Sequence, residues 1–477
     1  MTSIYDIMAW AYGRLCPFDY SKVQECRPED NREVFNLFAR CYEGAGGFPE
    51  AVVINIYRQL VAMECRIVDK GQKEHFYYLI IMAIDNYEYR YNSVSSVLKP
   101  VKSMESLNKN NESILIYPRM QRTLIDEISD NLEKYEKKEL NKRKGGLRKR
   151  VDIDTNGINK ALNNYIIIEK GDLKQYKIDL HMLQDGGLLA KQVLEKNYLD
   201  LLIFPFDDRN IDKVMKIENR EKTFRINGYR PEAKLQGRYI QLIERAISGD
   251  ADIVVFPEMY LSQEMIESAI HKLSSIKTGR SMLIIMGTWW KDNANVCFIC
   301  NHRGKIIIKQ HKQSPFTYKG REEDLQNKEK MLNFLDIDEI GRFAFGVCKD
   351  IDNDAIVQKM KTVMSDIYIF PAFSPSLNVL RTAEGIAKSH NGITVFANAC
   401  AGLCDEKKDR VDVGDKKEVG FITIPCKNKN DSGVKSCHYS IDHQCNGCDG
   451  CTGKQIRIRM DNIVKNNEMI YCDISEV

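Results

Sequence analysis

The sequence has no apolar run that approaches the roughly eighteen residues of a membrane-spanning helix, and Phe76 to Ile84 is among its longest apolar stretches. Its first six residues, MTSIYD, lack the basic and apolar regions of a signal peptide. An excess of charge of one sign is also lacking, because the formal net charge of the 477 residues is +3. We therefore expect a cytoplasmic protein without membrane contact and without a general attraction to nucleic acid.

Cysteine, in contrast, is abundant. The chain has 15 cysteines, an odd number, and eleven of them lie between Cys297 and Cys472. A secreted disulfide framework is a poor interpretation without a signal peptide, so we expect reduced thiols, some packed in cores and some holding a metal. The apolar fraction of 43% suffices for cores, and the length predicts two or more domains.

Residues 1 to 135 show apolar side chains at helical spacing and contain no recognisable catalytic motif. Glu33 to Glu43 and Pro49 to Val68 have such patterns, and proline suits the first turn of a helix. His75 to Tyr91 is dense in aromatic residues that would pack in a helical core. We expect a mostly helical N-terminal interaction domain, with the docking of a protein partner or sensing as its functional role.

Residues 136 to 196 are predicted to form a basic linker and a mixed segment. The linker contains Lys142 to Arg150, in which six of nine residues are basic. Such a run is typical of a solvated linker, although it could also neutralise nucleic-acid phosphates. No aromatic residue lies within the run to stack on bases, which favours the linker and argues against a nucleic-acid partner.

Beyond this linker, three buried strand patterns each end on one reactive side chain. Ala251 to Glu258 (ADIVVFPE) ends on a carboxylate and Gly304 to Lys312 (GKIIIKQHK) ends on an amine. Phe343 to Asp350 (FAFGVCKD) presents the thiol of Cys348 where apolar residues give way to charge. Amphipathic helical patterns such as Leu235 to Ser248 alternate with these strands, which predicts α/β layers.

Glutamate, lysine and cysteine in this order, each at a strand end, resemble the nitrilase, or carbon–nitrogen hydrolase, superfamily over roughly residues 200 to 477. Several motifs in the right order are more specific than any one of them. The resemblance implies a four-layer αββα sandwich over residues 197 to 477 and, as is usual in the family, a homodimer. The matching segments are Gly249 to Glu258; Asn295, Gly304 and Lys312; Gly346 to Asp350; Phe370 to Ala372; and Val395 to Asn398.

The resemblance implies that Cys348 is the nucleophile, Glu258 the general base and Lys312 the group that stabilises negative charge in the tetrahedral intermediate. Lys309 is the alternative lysine, because the residues after Lys312 depart from the family's usual pattern. The family often adds a second glutamate, and Glu323 is predicted for this position over its neighbour Glu322. A solvated charged loop is the competing interpretation of that segment.

Cys348 has two possible interpretations, a packed core residue or a nucleophile. Cys348 alone would suit a packed core cysteine, and its occurrence with the glutamate and the lysine favours the nucleophile. Asp350 is expected to fix the turn at this cysteine by bonding backbone groups. The implied activity is hydrolysis of a non-peptide carbon–nitrogen bond in a small amide or nitrile, through a thioester and without a cofactor. A nitrilase-fold binding or sensing module without turnover, within a microbial defence system, is the alternative.

A cysteine-rich insertion is predicted near residues 437 to 451. Three of its cysteines alternate with turn residues, and a fourth ligand from Cys437, His438 or His443 would complete a tetrahedral zinc site. An iron–sulfur cluster is the competing metal group, and reduced cysteines in a disordered loop are the other alternative. The predicted ligands of this structural zinc are Cys437, Cys445, Cys448 and Cys451.

Overall fold

The computed structural model describes most of the chain. The described residues are 3–15, 32–45, 48–85, 113–118, 162, 165–173, 175–183, 185–206, 215–229, 233–258, 261–276, 279–291, 294–326, 330–337, 339–403, 416–426, 435–444, 452–465 and 468–476. The basic run at residues 142–150 lies outside the described residues, as do Cys445, Cys448 and Cys451.

The chain divides into two compact units. The first contains the described residues up to Pro118 and those from Leu162 to Gln175, and the second contains the described residues from Tyr176 onward. The segment predicted as a connection over residues 136 to 196 is therefore shared between the units. Its first strand pairs within the first unit, and its later strand and helix pack within the second.

The first unit combines helices with a two-stranded antiparallel sheet. The helical pattern predicted over residues 33–43 is confirmed, and the one predicted over residues 49–68 is a helix only over Glu50–Glu64. Buried aromatic and aliphatic side chains from the helices share one core with the sheet. The elements are α1 (Ile4–Leu15), α2 (Arg32–Ala45), α3 (Glu50–Glu64), α4 (Lys70–Asp85), β1 (Ile114–Pro118), β2 (Tyr165–Glu169) and α5 (Lys170–Leu173).

The second unit is a mixed α/β structure in which strands dominate. Its helices are α6 (Gly186–Lys196), α7 (Ala233–Ser248), α8 (Gln263–Ser275), α9 (Asp354–Thr362) and α10 (Leu380–His390). The strands in the first half of the unit are β3 (Lys177–Met182), β4 (Tyr198–Ile203), β5 (Met215–Asn219), β6 (Thr223–Tyr229), β7 (Ile253–Val255), β8 (Leu283–Lys291), β9 (Ala294–Asn301) and β10 (Ile306–His311). The later strands are β11 (Thr317–Tyr318), β12 (Arg321–Glu323), β13 (Met331–Ile337), β14 (Gly341–Phe345), β15 (Ile367–Ala372), β16 (Ile393–Asn398), β17 (Lys416–Cys426), β18 (Lys435–Gln444), β19 (Lys454–Lys465) and β20 (Glu468–Glu476).

Most of these strands form two large sheets. Within the described residues, one has the order β10-β9-β8-β7-β4-β19-β20 and the other β18-β17-β16-β15-β14-β13-β3, while a smaller sheet has the order β11-β12-β6-β5. The central strands β4, β7 and β8 run parallel in the first, and β14, β15 and β16 run parallel in the second. Their residues are buried along almost their whole length, which is why they appear in the sequence as continuous apolar runs.

A buried polar contact joins the two large sheets beside the end of β10. The Oε1 atom of Gln310 accepts hydrogen bonds from the backbone N and the side-chain Nδ2 of Asn333 on β13, both at 3.0 Å. Because both side chains are buried, these bonds are shielded from water and fix the registry of one sheet against the other. Because β13 pairs with β14, this contact also keeps the end of β10 close to the end of β14.

The cysteines follow the expectation of reduced thiols in all but one described pair. Seven described cysteines are free, and Cys426 at the end of β17 forms a disulfide with Cys437 on β18. Their Cα atoms are 5.7 Å apart, a separation that suits a disulfide across two antiparallel strands.

None of the helices in the described part of the chain has both the length and the apolar character that crossing a bilayer requires.

Candidate active site

Three separate strand ends place the three reactive groups predicted from the sequence. Glu258 lies three residues beyond β7, Lys312 follows the last residue of β10, and Cys348 opens a short turn of 3-10 helix, Cys348–Asp352, just beyond β14. The first two strands belong to one large sheet and the third to the other. The structure brings Glu258 and Lys312 into direct contact, and the backbone N of Phe373, just beyond β15 of the other sheet, bonds to Glu258.

Lys312 lies between two carboxylates. Its Nζ atom is 2.8 Å from Oε1 of Glu258 and 2.8 Å from Oε2 of Glu323, and the lysine side chain is fully buried. Burial alone lowers the pKa of Lys312, but the two carboxylates outweigh it, and this pKa lies well above its ordinary value. The ammonium group is therefore retained without solvent, as a fixed positive charge inside the protein.

Glu323 at the end of β12 is held by donors on its other sides. The Nε1 atom of Trp290 donates to Oε1 at 3.2 Å, and the backbone N of Phe316 donates to Oε2 at 3.0 Å. Its neighbour Glu322 is exposed. The alternation of a strand thus decides between the two glutamates, since consecutive side chains point to opposite faces.

Glu258 is fully buried and receives hydrogen bonds on both carboxylate oxygens. The Nδ2 atom of Asn295 donates to Oε1 at 2.8 Å, and the backbone N of Phe373 donates to Oε2 at 3.1 Å. Burial raises the pKa of Glu258 and outweighs the opposing effect of the Lys312 charge. The result is a carboxyl group of fixed orientation that takes up a proton more readily than an exposed glutamate.

Cys348 adopts a left-handed backbone conformation, with φ of 46°. This conformation is unfavourable for a residue with a side chain and persists where surrounding contacts determine it. The Sγ atom lies 3.8 Å from the backbone O of Phe373, the residue whose backbone N donates to Glu258. Burial, followed by the charge of Glu258, raises the pKa of the Cys348 thiol well above its usual value, while Lys312 acts in the opposite direction.

The alternative lysine lies elsewhere. Lys309 is exposed, and its Nζ atom is 5.9 Å from the ring centroid of Phe298. Gln310 and Lys312 are buried, as the alternation of β10 requires. The geometry therefore selects Lys312 as the lysine that contacts Glu258.

The predicted zinc ligands are only partly within the described residues. Cys437 forms the disulfide with Cys426, so its sulfur is not a free thiolate, and the predicted ligand set loses this member. The sequence did not reveal the pairing, because Cys426 lies eleven residues earlier and is brought alongside by the β17–β18 hairpin. Among the described residues, no group of three or more histidine, cysteine or acidic side chains is arranged to hold a metal ion.

Three contributors to the site were missed or only partly seen in the sequence. Asn295 matched a motif, but its contact with Glu258 was not predicted. Trp290 carried no motif at all, although an indole near a strand end with a buried N–H requires an acceptor. Phe373 acts through its backbone N and O, which no side-chain pattern can reveal.

Comparison with known proteins gives structural likenesses at low sequence identity. No family model matches the sequence, and neither does any curated protein. Saccharomyces cerevisiae Nit3, a member of branch 10 of the nitrilase superfamily, is similar with 16% identity and a TM-score of 0.34, over 52% of this chain and 90% of that one. An amidase from Nesterenkonia sp. is similar with 12% identity and a TM-score of 0.33, over 53% of this chain and 92% of that one.

A third similar structure is the glutamine-dependent NAD+ synthetase of Acinetobacter baumannii. It shares 15% identity with a TM-score of 0.33, over 52% of this chain and 46% of that one. The likeness to nitrilase-superfamily structures thus covers about half of this chain. At these identities and TM-scores it assigns neither an activity nor a substrate.

Proposed function

We propose that the second unit is a carbon–nitrogen hydrolase that cleaves a small amide or nitrile through a thioester on Cys348. The observation that carries this proposal is the Lys312 ammonium, whose Nζ atom lies 2.8 Å from carboxylate oxygens of both Glu258 and Glu323, in a group whose charges act on the Cys348 thiol. Such an arrangement supplies a nucleophile, a base and a fixed positive charge.

In the first half of the reaction, Sγ of Cys348 bonds to the carbonyl carbon of an amide while the thiol proton passes to Glu258. The carbonyl oxygen becomes negatively charged in the tetrahedral intermediate, and the Lys312 ammonium stabilises it in a site without bulk water. Collapse of the intermediate breaks the C–N bond. The proton on Glu258 goes to the departing nitrogen, which leaves as ammonia or an amine.

In the second half, Glu258 removes a proton from water, and the resulting hydroxide attacks the thioester carbon. The C–S bond then breaks, and the proton returns to the sulfur, so that the free thiol and the carboxylic acid are formed. Glu258 remains in place through both halves because Asn295 and the backbone of Phe373 fix its two oxygens. A carboxyl group with a raised pKa suits this repeated acceptance and donation of a proton.

The test is intact-mass spectrometry of the purified protein after incubation with a library of amides and nitriles. An acyl adduct on Cys348, with release of the matching carboxylic acid, is the expected result, and Cys348→Ala should form neither. Absence of adducts, together with a Cys348 that is inert to alkylating agents, would instead favour a binding or sensing module without turnover.

We infer further that the two large sheets form the inner layers of a four-layer αββα sandwich and that the protein is a cytoplasmic homodimer. For the first unit we propose docking of a protein partner, since its helices and small sheet form a separate core. Light scattering of the full chain checks the dimer. A pull-down that compares the wild-type chain with variants altered at surface residues of the first unit checks the docking of a partner.

For the cysteine-rich segment we propose zinc held by Cys445, Cys448 and Cys451, with His438 or His443 as the fourth ligand in place of Cys437. About one zinc per chain is expected by elemental analysis. Iron and sulfide with visible absorption would point to a cluster instead. Absence of any metal would remove the proposal.

A further inference from the structure

Asp350 is a third buried carboxylate beside the reacting groups, and the proposed reaction does not use it. The carboxylate of Asp350 is fully buried and accepts three backbone hydrogen bonds. Its Oδ2 atom accepts from N of Val347 at 2.9 Å, and its Oδ1 atom accepts from N of Gln313 at 3.0 Å and from N of Ser314 at 2.7 Å.

These donors come from two segments that are remote in the chain. Val347 directly precedes Cys348, whereas Gln313 and Ser314 directly follow Lys312. One carboxylate therefore bonds the backbone next to the thiol with one oxygen and the backbone next to the ammonium with the other. A second contact runs in parallel, since Nδ2 of Asn353 donates to Oγ of Ser314 at 3.1 Å.

We propose that Asp350 is a positioning residue that sets the distance between the Cys348 thiol and the Lys312 ammonium. The role rests on the proposed function, because it concerns the same reacting groups. It goes beyond fixing the local turn at the cysteine, since two of the three donors belong to the lysine segment.

Physical chemistry supports this role over that of a passive core residue. A buried carboxylate is costly unless donors surround it, and an uncharged side chain could not accept three N–H groups. Burial raises the pKa of Asp350 to about 6, while the backbone donors and Lys312 oppose the rise. The group is thus retained as an anion at neutral pH by the very contacts that join the two segments.

The two oxygens make different predictions for Asn and Ala at this position. In Asp350→Asn, an amide oxygen in the Oδ1 position still accepts from the lysine segment, but the NH2 group then faces N–H of Val347. Asp350→Ala removes both contacts. The expected order of disturbance is therefore Ala greater than Asn greater than wild type. Asp352→Asn is the matched control, because Asp352 is two residues away and pairs with Lys349 at the surface.

The experiment measures the rate of alkylation by iodoacetamide at Cys348 as a function of pH, by peptide mapping. The exposed Cys65 in the first unit serves as an internal reference in each sample. Besides Asp350 itself, the charged groups around the thiol are Glu258 and Lys312, with Glu323 bonded to the latter. Lys312 lowers the pKa of Cys348, so displacement of the ammonium should raise the pH at which the alkylation rate is half-maximal.

The sign of the shift distinguishes positioning from a simple charge effect. Removal of a nearby negative charge without movement of Lys312 would lower the thiol pKa. We expect a rise of about one pH unit for Asp350→Asn, equal to a tenfold change in thiolate fraction, and a larger rise for Asp350→Ala. Asp352→Asn and the rate at Cys65 should remain at their wild-type values. An unchanged or lowered pKa at Cys348 in folded Asp350 variants would overturn the proposal.

A measurement on the wild-type chain covers the case in which the variants do not fold. The backbone amides of Val347, Gln313 and Ser314 should be protected from hydrogen exchange, and rapid exchange at the latter two would overturn the proposal. Both readouts are independent of substrate. A chain that shows the expected shifts but forms no acyl adduct would thus retain this inference and lose the proposed hydrolysis.

Discussion

The Nζ atom of Lys312 lies 2.8 Å from Oε1 of Glu258, and both side chains are fully buried. A buried ion pair contributes little net stability by itself, because desolvation of both charges offsets their attraction. Removal of one partner, in contrast, leaves an unpaired charge in a dry interior. The proposed reaction thus accounts for the pair and for the second carboxylate at Glu323 better than a gain in stability does.

Replacement of Lys312 by Met should remove activity and also destabilise the unit. Two buried carboxylates would face each other without a counter-charge, at a cost of about 3–5 kcal/mol in the free energy of unfolding. Turnover should fall at least roughly 100-fold, because the stabilising charge of the intermediate is lost. Urea denaturation and product assays measure the two effects.

The control for this variant is Lys309→Met, on β10 three residues before Lys312. Since Lys309 is exposed, its removal should change the free energy of unfolding by less than about 0.5 kcal/mol and leave turnover intact. Equal effects of the two substitutions would contradict the assignment of Lys312.

Substitution of Glu323 by Gln should reduce kcat, while the same change at Glu322 should not. The amide cannot balance the Lys312 charge, and its NH2 group would face one of the donors that now contact the carboxylate. The resulting displacement of the ammonium should lower kcat by roughly 10- to 100-fold. Steady-state kinetics on both variants would reveal equal rates if the segment were merely a solvated loop.

The acid side of the pH profile should lie above the ordinary pKa of a glutamate. Glu258 must be ionised to accept the thiol proton, and burial raises its pKa above 4.5. Activity is therefore lost as the pH falls through this raised pKa. Lys312 stays protonated on the alkaline side, because its pKa lies well above 10.5. The pH dependence of kcat/KM measures this ionisation in the free enzyme. A midpoint of the acid side at or below pH 4.5 would contradict this account of Glu258.

Alanine at Gly346 should disturb the turn that carries the thiol. A Cβ atom there would lie 2.4 Å from the ring of Phe370, so the ring or the backbone before Cys348 must move. Overpacking of this kind costs about 1–3 kcal/mol. In the matched variant Gly385→Ala on α10, the Cβ meets nothing within 4 Å, and a gain of about 0.5–1 kcal/mol is expected. Thermal unfolding and alkylation of Cys348 compare the two, and similar stability changes would count against the packing argument.

The elements around the site could be predicted because their sequence patterns are local. The helix over residues 235–248 is confirmed as α7, and the apolar runs before Glu258, Lys312 and Cys348 are strands. Alternation along β10 and β12 also distinguishes buried from exposed members of each lysine and glutamate pair, once the strands are known. The choice of Lys312 and Glu323 was thus within reach of the sequence.

The contacts that lock the site could not be predicted in the same way. The bond from the backbone N of Phe373 to Glu258 joins ends of strands from different sheets, and the bond from Asn295 to Glu258 joins β9 to the end of β7 past the intervening β8. No spacing in the chain encodes either distance. The disulfide of Cys426 and Cys437 depends on the register of a hairpin. The boundary near Tyr176 was missed because β3 pairs with β13, about 150 residues later, and such long-range pairing leaves no local signal.

The sharing of one ammonium between Glu258 and Glu323 has a consequence for selectivity. With a neutral thiol, the formal charges of Glu258, Glu323 and Lys312 are two negative and one positive, which leaves one net negative charge on three buried side chains. An acyl group that carried its own carboxylate or phosphate would meet repulsion there. Uncharged or cationic molecules would enter at a lower electrostatic cost.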